Sequence, residues 1–219
     1  MLTTLLVSAA LWAFPAPPRV SLEARVPETS HAALAAGLTA WQNAVRSGAV
    51  RRTDVLTVID YSRPSTEPRL FVLDVASGRV RYAERVAHGR GSGENVTERF
   101  SNRDRSRMTS LGVFRAGESY LGQHGTSLRL DGLEPGFNDH ARERAIVLHG
   151  AGYVNAGIIG SQGRLGRSWG CPAVRPEIAR ELIDAIKDGS LVVAYYPNAD
   201  WLARSAFLKT SAVPAADPS

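Results

Sequence analysis

The alternation of apolar and polar positions divides the chain into two helical segments and a larger part that favours β-strands. Apolar side chains recur at helical spacing over residues 31–47, in a pattern formed by Leu34, Leu38, Trp41 and Val45. A second amphipathic helix is predicted over residues 176–187, with an apolar face formed by Ile178, Leu182, Ile183 and Ile186. Short runs of branched and aromatic residues predict strands at residues 55–61, 69–75, 80–87, 112–117, 127–130, 145–149 and 191–196. The sequence therefore predicts a mainly β fold with a few helices, whose first three strands form a meander.

Polar segments set the expected boundaries of the domain. Residues 28–50 are predicted to hold a helix that packs on a domain at residues 53–204, and residues 206–219 are predicted to form a C-terminal tail. Within the domain, residues 88–110 have no apolar period, which predicts a long solvated loop. The arginines of this loop alternate with acidic residues, so the loop does not predict a stripe that binds polyanions.

Residues 1–18 form an apolar start that ends in prolines. The apolar run at residues 5–14 is shorter than the roughly 20 residues that usually cross a bilayer, and it fits the apolar region of a secretory signal peptide. The segment has no Lys or Arg before the apolar run and no clean Ala-x-Ala site after it, so an N-terminal strand or a misassigned start codon is the alternative. We expect an exported protein of the periplasm or cell envelope, with no membrane span unless this segment is retained.

The amino-acid composition excludes further classes of protein. A chain of 219 residues suits one domain, and 44% hydrophobic with 21% charged residues excludes a wholly disordered chain and a polytopic membrane protein. The net charge of +5 comes almost entirely from arginines spread along the sequence, so no nucleic-acid partner is predicted, although a nucleic-acid binder is the alternative reading of the basic balance. Cys171 is the only cysteine and has no disulfide partner within the chain, so it is either buried and inert or reactive.

The residues around Cys171 could support nucleophilic chemistry. A cysteine nucleophile needs a base and donors for an oxyanion. His149 ends an apolar run, and the Gly150 carbonyl beside it could accept the imidazole N–H and fix the tautomer. Gly170 allows a close backbone approach, and the amides of Gly170 and Cys171 could face the oxyanion. His124 is the competing base.

The order of these residues resembles the L,D-transpeptidase catalytic domain family, whose members remodel bacterial peptidoglycan. Its signature is a strand-ending His-Gly followed by Ser-x-Gly-Cys, here His149-Gly150 and Ser168-Trp169-Gly170-Cys171. The likeness extends to residues 109–114 and 189–193, which are similar to the strand entry and the closing strand of the family. It also extends to the Gly-Cys-Pro-Ala centre and the His-Gly-x-Ser-Leu-Arg-Leu segment of one branch, the latter at residues 124–130. Several spaced motifs in one order are more specific than one match.

Two positions depart from the family pattern. Ser110 stands where the entry motif has proline, and Ala173 stands where many members carry an arginine two residues after the cysteine. Whether Arg175 takes the place of that arginine is left open by the sequence.

The resemblance implies a β-sandwich or barrel and a cysteine enzyme that acts on peptidoglycan stem peptides. Cys171 would form a thioester at the third residue of a tetrapeptide stem with release of D-alanine, and His149 would carry the proton. An amine acceptor gives transpeptidation, and water gives L,D-carboxypeptidase activity. Supporting roles fall to Gly150, Gly170 and Ser168, and the candidate substrate-binding residues are Arg167, Trp169, Tyr153, His124, Arg129, Arg164 and Arg175. No metal or organic cofactor is expected, because the histidines lack zinc-site spacing.

The residues alone leave two other functions open. A sortase-like transpeptidase would use His124, Cys171 and Arg180, although sortases carry Thr-Leu-x-Thr before the cysteine, where this chain has residues 167–170. A non-catalytic cell-wall binding module on the same fold is the second. A readily labelled thiol would distinguish an enzyme from such a module.

Overall fold

The computed structural model describes residue 27 and residues 30–209. The predicted signal segment at residues 1–18 lies outside the described residues, as do residues 210–219 of the predicted tail. Residues 206–209 are described, and they pack back on the domain: Asn43 donates hydrogen bonds from Nδ2 to Phe207 O at 2.7 Å and to Lys209 O at 3.1 Å.

One sheet of eight strands organises the described chain, in the order β3-β2-β1-β8-β4-β5-β6-β7. The strands are β1 (Val55–Asp60), β2 (Leu70–Asp74), β3 (Val80–Glu84), β4 (Gly112–Gly122), β5 (Gly125–Gly132), β6 (Val147–Gly150), β7 (Ala173–Val174) and β8 (Leu191–Tyr195). The first three pair antiparallel in sequence order, which confirms the predicted meander. At the centre β8 pairs parallel with β1 and antiparallel with β4.

The two ends of the sheet approach each other, so the sheet nearly closes. Ala87, just after β3, forms an antiparallel bridge with Ala173 of β7, and Gly89 bridges Ser168. The predicted mainly β fold with a few helices is confirmed, and its barrel-like character arises from this near closure. The seam between the two edges lies beside Cys171, so the edge pairing fixes the backbone on which the cysteine sits.

The described residues form four helices: α1 (His31–Arg46), α2 (Ala156–Gln162), α3 (Pro176–Ile186) and α4 (Ala199–Arg204). The apolar face predicted for α3 is buried as expected. On α1 the predicted residue Leu34 is buried, but the other buried residues of the stripe that faces the sheet are small ones that the pattern did not include, Ala33, Gly37, Ala40 and Ala44. The larger side chains Leu38, Trp41 and Val45 lie at its margins, half-buried. Close packing explains the stripe, since a Cβ on Gly37 would lie 2.5 Å from a methyl carbon of Val58.

The core has a layer on each face of the sheet. One layer joins α3 to side chains such as Ile59, Leu128 and Leu148, and the other joins α1 and Trp201 of α4 to side chains such as Leu56 and Val193. Because both faces are covered, every residue of β1 and β8 is buried, and neither strand alternates apolar with polar positions; β1 includes the buried polar residues Thr57 and Asp60.

The structure differs from the sequence prediction where elements are short or polar. The hairpin of β4 and β5 extends well beyond both predicted strands, to a tight turn between Gly122 and Gly125. Helices α2 and α4 and strand β7 were not predicted. The loop predicted at residues 88–110 contains no helix or strand, as expected, but the prediction that it is solvated is wrong. It buries the polar side chains of His88, Ser92, Thr97, Thr109 and Ser110. Local hydrogen bonds satisfy these polar groups, as in Gly89 N to Thr109 Oγ1 at 2.9 Å.

Candidate active site

Cys171 lies half-buried in the short connection between α2 and β7. Its Sγ contacts the backbone at the start of β6: Val147 N lies 3.5 Å away and Ala145 O lies 3.6 Å away. The register of β6 and β7 explains the first contact, because His149 pairs with Ala173 and the same register continued backwards puts Cys171 opposite Val147. The thiol is therefore held against the strand that carries His149.

The loop before Cys171 is fixed by the hydroxyl of Ser168. Ser168 Oγ donates to Cys171 O at 2.6 Å and accepts from Gly170 N at 3.0 Å. Gly170 adopts a φ of 134°, and a Cβ there would lie 2.8 Å from Met108 O, so only glycine fits. The Gly170 amide, expected from the sequence to face an oxyanion, is thus already bound inside the loop. The Cys171 N–H has no acceptor among the described residues and is the better candidate donor.

His149 is 3% exposed and is oriented by its neighbour in the chain. Its Nδ1 lies 2.9 Å from Gly150 O, so Nδ1 carries the proton and Nε2 keeps its lone pair. Gly150 has no room for a side chain, since a Cβ would lie 2.9 Å from Ala179 Cβ. The ring of His124, an exposed residue at the turn of the β4–β5 hairpin, stacks on the His149 ring with centroids 4.5 Å apart.

Burial favours the neutral forms of both Cys171 and His149. Burial lowers the pKa of His149, and His124 lowers it further, against the Gly150 carbonyl, which raises it. Burial raises the pKa of Cys171, and the Val147 amide and the Arg144 guanidinium act in the opposite direction. At neutral pH this site holds a protonated thiol and a neutral imidazole, a pair that suits a base that takes the proton during the attack.

The sequence profile described as the L,D-transpeptidase catalytic domain matches residues 26–195 of this chain. The chain belongs to the L,D-transpeptidase catalytic domain family. Sequence comparison with curated proteins gave no match.

Several solved structures are similar to this chain at low identity. The L,D-transpeptidase from Mycobacterium smegmatis is 17% identical, with a TM-score of 0.40 over 65% of this chain and 59% of that chain. The one from Xylanimonas cellulosilytica is 20% identical, with a TM-score of 0.37 over 70% and 68%. The helical cell shape determining protein Pgp2 from Campylobacter jejuni is 14% identical, with a TM-score of 0.41 over 73% and 56%. This chain thus spans less than two thirds of the M. smegmatis protein.

The four arginines predicted to bind substrate all contact carboxylates of the protein itself. Both Arg164 and Arg167 bind Glu94, at 2.8 Å and 2.6 Å. Arg129 pairs with Glu118 at 3.0 Å, and Arg175 binds both oxygens of Glu84 at 2.9 Å and 3.0 Å. Each would have to share or leave its partner in order to bind a substrate carboxylate.

Two aromatic residues flank the cysteine in different ways. Tyr153 is half-buried, and burial together with the nearby Cys171 charge raises its pKa to about 12. Its ring fills the space beside Gly166, where a Cβ would lie 2.4 Å from Tyr153 Cβ. Trp169 is 71% exposed, and the Arg107 guanidinium lies over one face of its ring, 5.2 Å from the centroid. Trp169 therefore presents one free aromatic face at the rim of the site.

Sequence reasoning missed Arg144, whose guanidinium lies close enough to Cys171 to affect its pKa. Arg144 precedes β6 in a turn with no motif, so nothing in the sequence distinguished it from the other arginines. It also borders a surface cavity of about 710 Å³ that Arg103, His140 and Glu143 help to line.

No cluster of three or more His, Cys, Asp or Glu side chains that could hold a metal ion occurs among residues 30–209. Within that same part of the chain, no helix has the length and apolar character needed to cross a membrane.

Proposed function

We propose that this chain is an exported peptidoglycan L,D-transpeptidase that uses Cys171 as its nucleophile and His149 as its general base. The observation that carries the proposal is the Nδ1 contact of His149 with the Gly150 carbonyl, 2.9 Å away. That contact leaves the Nε2 lone pair free to accept a proton, and the thiol is anchored on the same short strand. Family membership supplies the substrate class, the stem peptides of peptidoglycan.

The proposed reaction begins with the neutral pair. His149 Nε2 takes the thiol proton as Sγ attacks the carbonyl carbon of the third stem residue. The Cys171 N–H is placed to donate to the oxyanion that develops. His149 then returns the proton to the amine of D-alanine, the C–N bond breaks, and a thioester remains. An amine of a second stem then attacks the thioester carbonyl and gives a proton to His149, the C–S bond breaks, and the sulfur takes that proton back as the cross-link forms. Water in place of the amine gives a free tripeptide by the same steps.

The resting contacts of Sγ define one requirement of this mechanism. The sulfur contacts Val147 N and Ala145 O rather than the imidazole. Attack therefore requires the sulfur to leave these backbone groups and approach His149. The substrate is expected to drive this movement by occupying the rim formed by Trp169 and Tyr153, where an apolar surface meets the nucleophile.

The remaining substrate-binding candidates are proposed to act by exchanging partners. A stem-peptide carboxylate that approaches Arg167 or Arg164 competes with Glu94, which is itself largely exposed. Exposed ion pairs contribute only about 0 to 1 kcal/mol, so this exchange costs little. Ser168 holds the loop, and His124 covers the base.

The test is intact-mass spectrometry with a disaccharide-tetrapeptide. Wild-type protein is expected to release D-alanine from the substrate and to form an acyl adduct, whereas Cys171→Ala does neither. His149→Gln is expected to keep the fold and lose turnover by a factor of about 100 to 10,000, the usual contribution of a general base. His31→Gln, a change at an exposed histidine of α1, is the matched control and should keep full turnover.

Other results would favour the alternatives. Binding of peptidoglycan with no turnover by folded wild type would favour a non-catalytic module. Cleavage that needs Arg180 and His124 but not His149 would favour sortase-like chemistry, although the Arg180 side chain is 85% exposed on α3.

A further inference from the structure

Arg144 is a cation held beside the cysteine without a carboxylate in contact. Its Nη1 donates to Ser101 O at 2.7 Å and to Ser110 Oγ at 2.5 Å, and its Nη2 donates to Met108 O at 2.8 Å and to Ser106 Oγ at 3.2 Å. None of these acceptors is charged. Its Nε is buried and has no acceptor among the described residues. Asp104 acts on Arg144 electrostatically, but it makes no ion pair with it. The positive charge therefore stays largely uncompensated.

The backbone brings this charge next to the reacting sulfur. Ala145, the residue after Arg144, adopts a φ of 53°, a left-handed conformation that costs a non-glycine residue energy, and its carbonyl lies 3.6 Å from Cys171 Sγ. A Cβ on Gly170 would lie 3.5 Å from Arg144 Nη2. It would also lie 2.8 Å from Met108 O, the carbonyl that Arg144 binds. The guanidinium and the cysteine loop thus touch the same small patch of backbone.

The charge of Arg144 opposes the cost of forming an anion in this half-buried place. Burial penalises the thiolate, and a cation nearby reduces that penalty. Arg144 is the described arginine whose charge lowers the pKa of Cys171. By contrast, Arg164 and Arg167 share the carboxylate of Glu94, and Arg175 pairs with Glu84.

We propose that Arg144 is a positioning residue whose uncompensated charge stabilises the Cys171 thiolate as it forms. Its four hydrogen bonds keep residues 101–110 against the cysteine loop, so the charge stays in place throughout the reaction. This inference rests on the proposed role of Cys171 as the nucleophile. It assigns to Arg144 an electrostatic function that acts through the sulfur and needs no contact with the substrate.

The test measures the rate at which iodoacetamide alkylates Cys171, the only cysteine, as a function of pH. The wild-type midpoint is expected above that of an exposed cysteine, because burial raises the pKa of the thiol. Arg144→Gln is expected to raise the midpoint by about one pH unit, the lower end of the effect of a close opposite charge. Arg144→Lys keeps the charge and should restore most of the difference. Arg142→Gln, whose partners are Asp131 and Glu118, should leave the midpoint unchanged.

A second pair of variants keeps Arg144 and neutralises its charge. Ser106 is half-buried and accepts from Arg144 Nη2, so Ser106→Asp places a carboxylate on the guanidinium, while Ser106→Asn does not. We expect the aspartate to raise the midpoint and the asparagine to leave it near the wild-type value. If Arg144→Gln does not fold, this pair decides the matter.

Two results would overturn the inference. The first is an unchanged midpoint in folded Arg144→Gln and Ser106→Asp proteins. The second is a shift in Arg144→Lys as large as that in Arg144→Gln, which would show that the hydrogen bonds matter and the charge does not. Because alkylation needs no peptidoglycan, a wild type that alkylates as expected but does not turn over the stem peptide contradicts the proposed function and leaves this inference standing.

Discussion

Protonation of His88 should destabilise the fold in mild acid. His88 is fully buried, and its Nδ1 lies 2.7 Å from Nη2 of Arg69, another fully buried residue. Arg69 can only donate, so His88 must be neutral with an unprotonated Nδ1. Burial lowers the pKa of His88 to about 4, and the charges of Arg69 and Arg167 act in the same direction.

The sign and size of the effect follow from these values. The pKa of His88 in the fold is about 4, below the ordinary 6.5 expected for the unfolded chain, so the unfolded chain binds the proton more readily. Stability is therefore complete above about pH 6.5 and falls as the pH drops towards about 4. The difference between the two pKa values corresponds to about 3.5 kcal/mol, at about 1.4 kcal/mol for each pKa unit, and about 3 kcal/mol of this is lost by about pH 4.

The assay compares urea unfolding of the wild type with that of His88→Asn at about pH 7 and at about pH 4. Asparagine can place its Oδ1 where Nδ1 accepts from Arg69, and it does not titrate. The Gly93 carbonyl, which His88 Nε2 contacts at 3.3 Å, keeps a donor in Arg167 at 2.9 Å. The variant should start less stable because of the lost volume, yet lose about 3 kcal/mol less than wild type on acidification. Parallel pH dependence of the two proteins would refute the reasoning.

Three further outcomes follow from the site and its support. His124→Ala is expected to raise the apparent pKa of the acid limb of kcat/KM, because it exposes the His149 ring and removes a neighbour that lowers the pKa of His149; a pH–rate profile checks this. Trp169→Ala should leave Tm unchanged, since the side chain is 71% exposed, and should raise KM more than it lowers kcat in steady-state kinetics. Glu134→Leu should cost about 3 kcal/mol or more in denaturant unfolding, because it leaves the buried Trp201 Nε1 and Val113 N–H without their acceptor.

The elements that could be predicted from the sequence are those whose apolar period reflects burial. The fully buried runs of β1 and β8 and the apolar face of α3 left clear patterns. Helix α2 has no buried residue, and β7 has only two residues, so neither produces a period. On α1 most of the side chains that face the sheet are small, because the helix packs closely against it. The pattern of hydrophobic positions does not indicate this requirement for small size.

The candidate site also contains some features that the sequence predicts and others that it does not. His149 and Cys171 could be predicted because they belong to a motif with a fixed order in the sequence. The Gly150 carbonyl could be predicted because Gly150 follows His149 in the chain. Arg144 acts on the cysteine through contacts with residues 101–110, which depend on how a loop without apolar pattern folds. The engagement of the Gly170 amide by Ser168 is a matter of backbone geometry, which residue types alone do not fix.

The parallel pairing of β1 with β8 has a consequence for the order of assembly. Leu56 pairs with Leu191, so the middle of the sheet joins strands from nearly opposite ends of the described chain, and β8 also supplies the partner of β4. During synthesis the central strand emerges last, and until then β1 and β4 each expose an unpaired edge. Such non-local pairing is slow, and open edges favour association between chains. A chain that stops before residue 191 should therefore aggregate rather than form a smaller working domain.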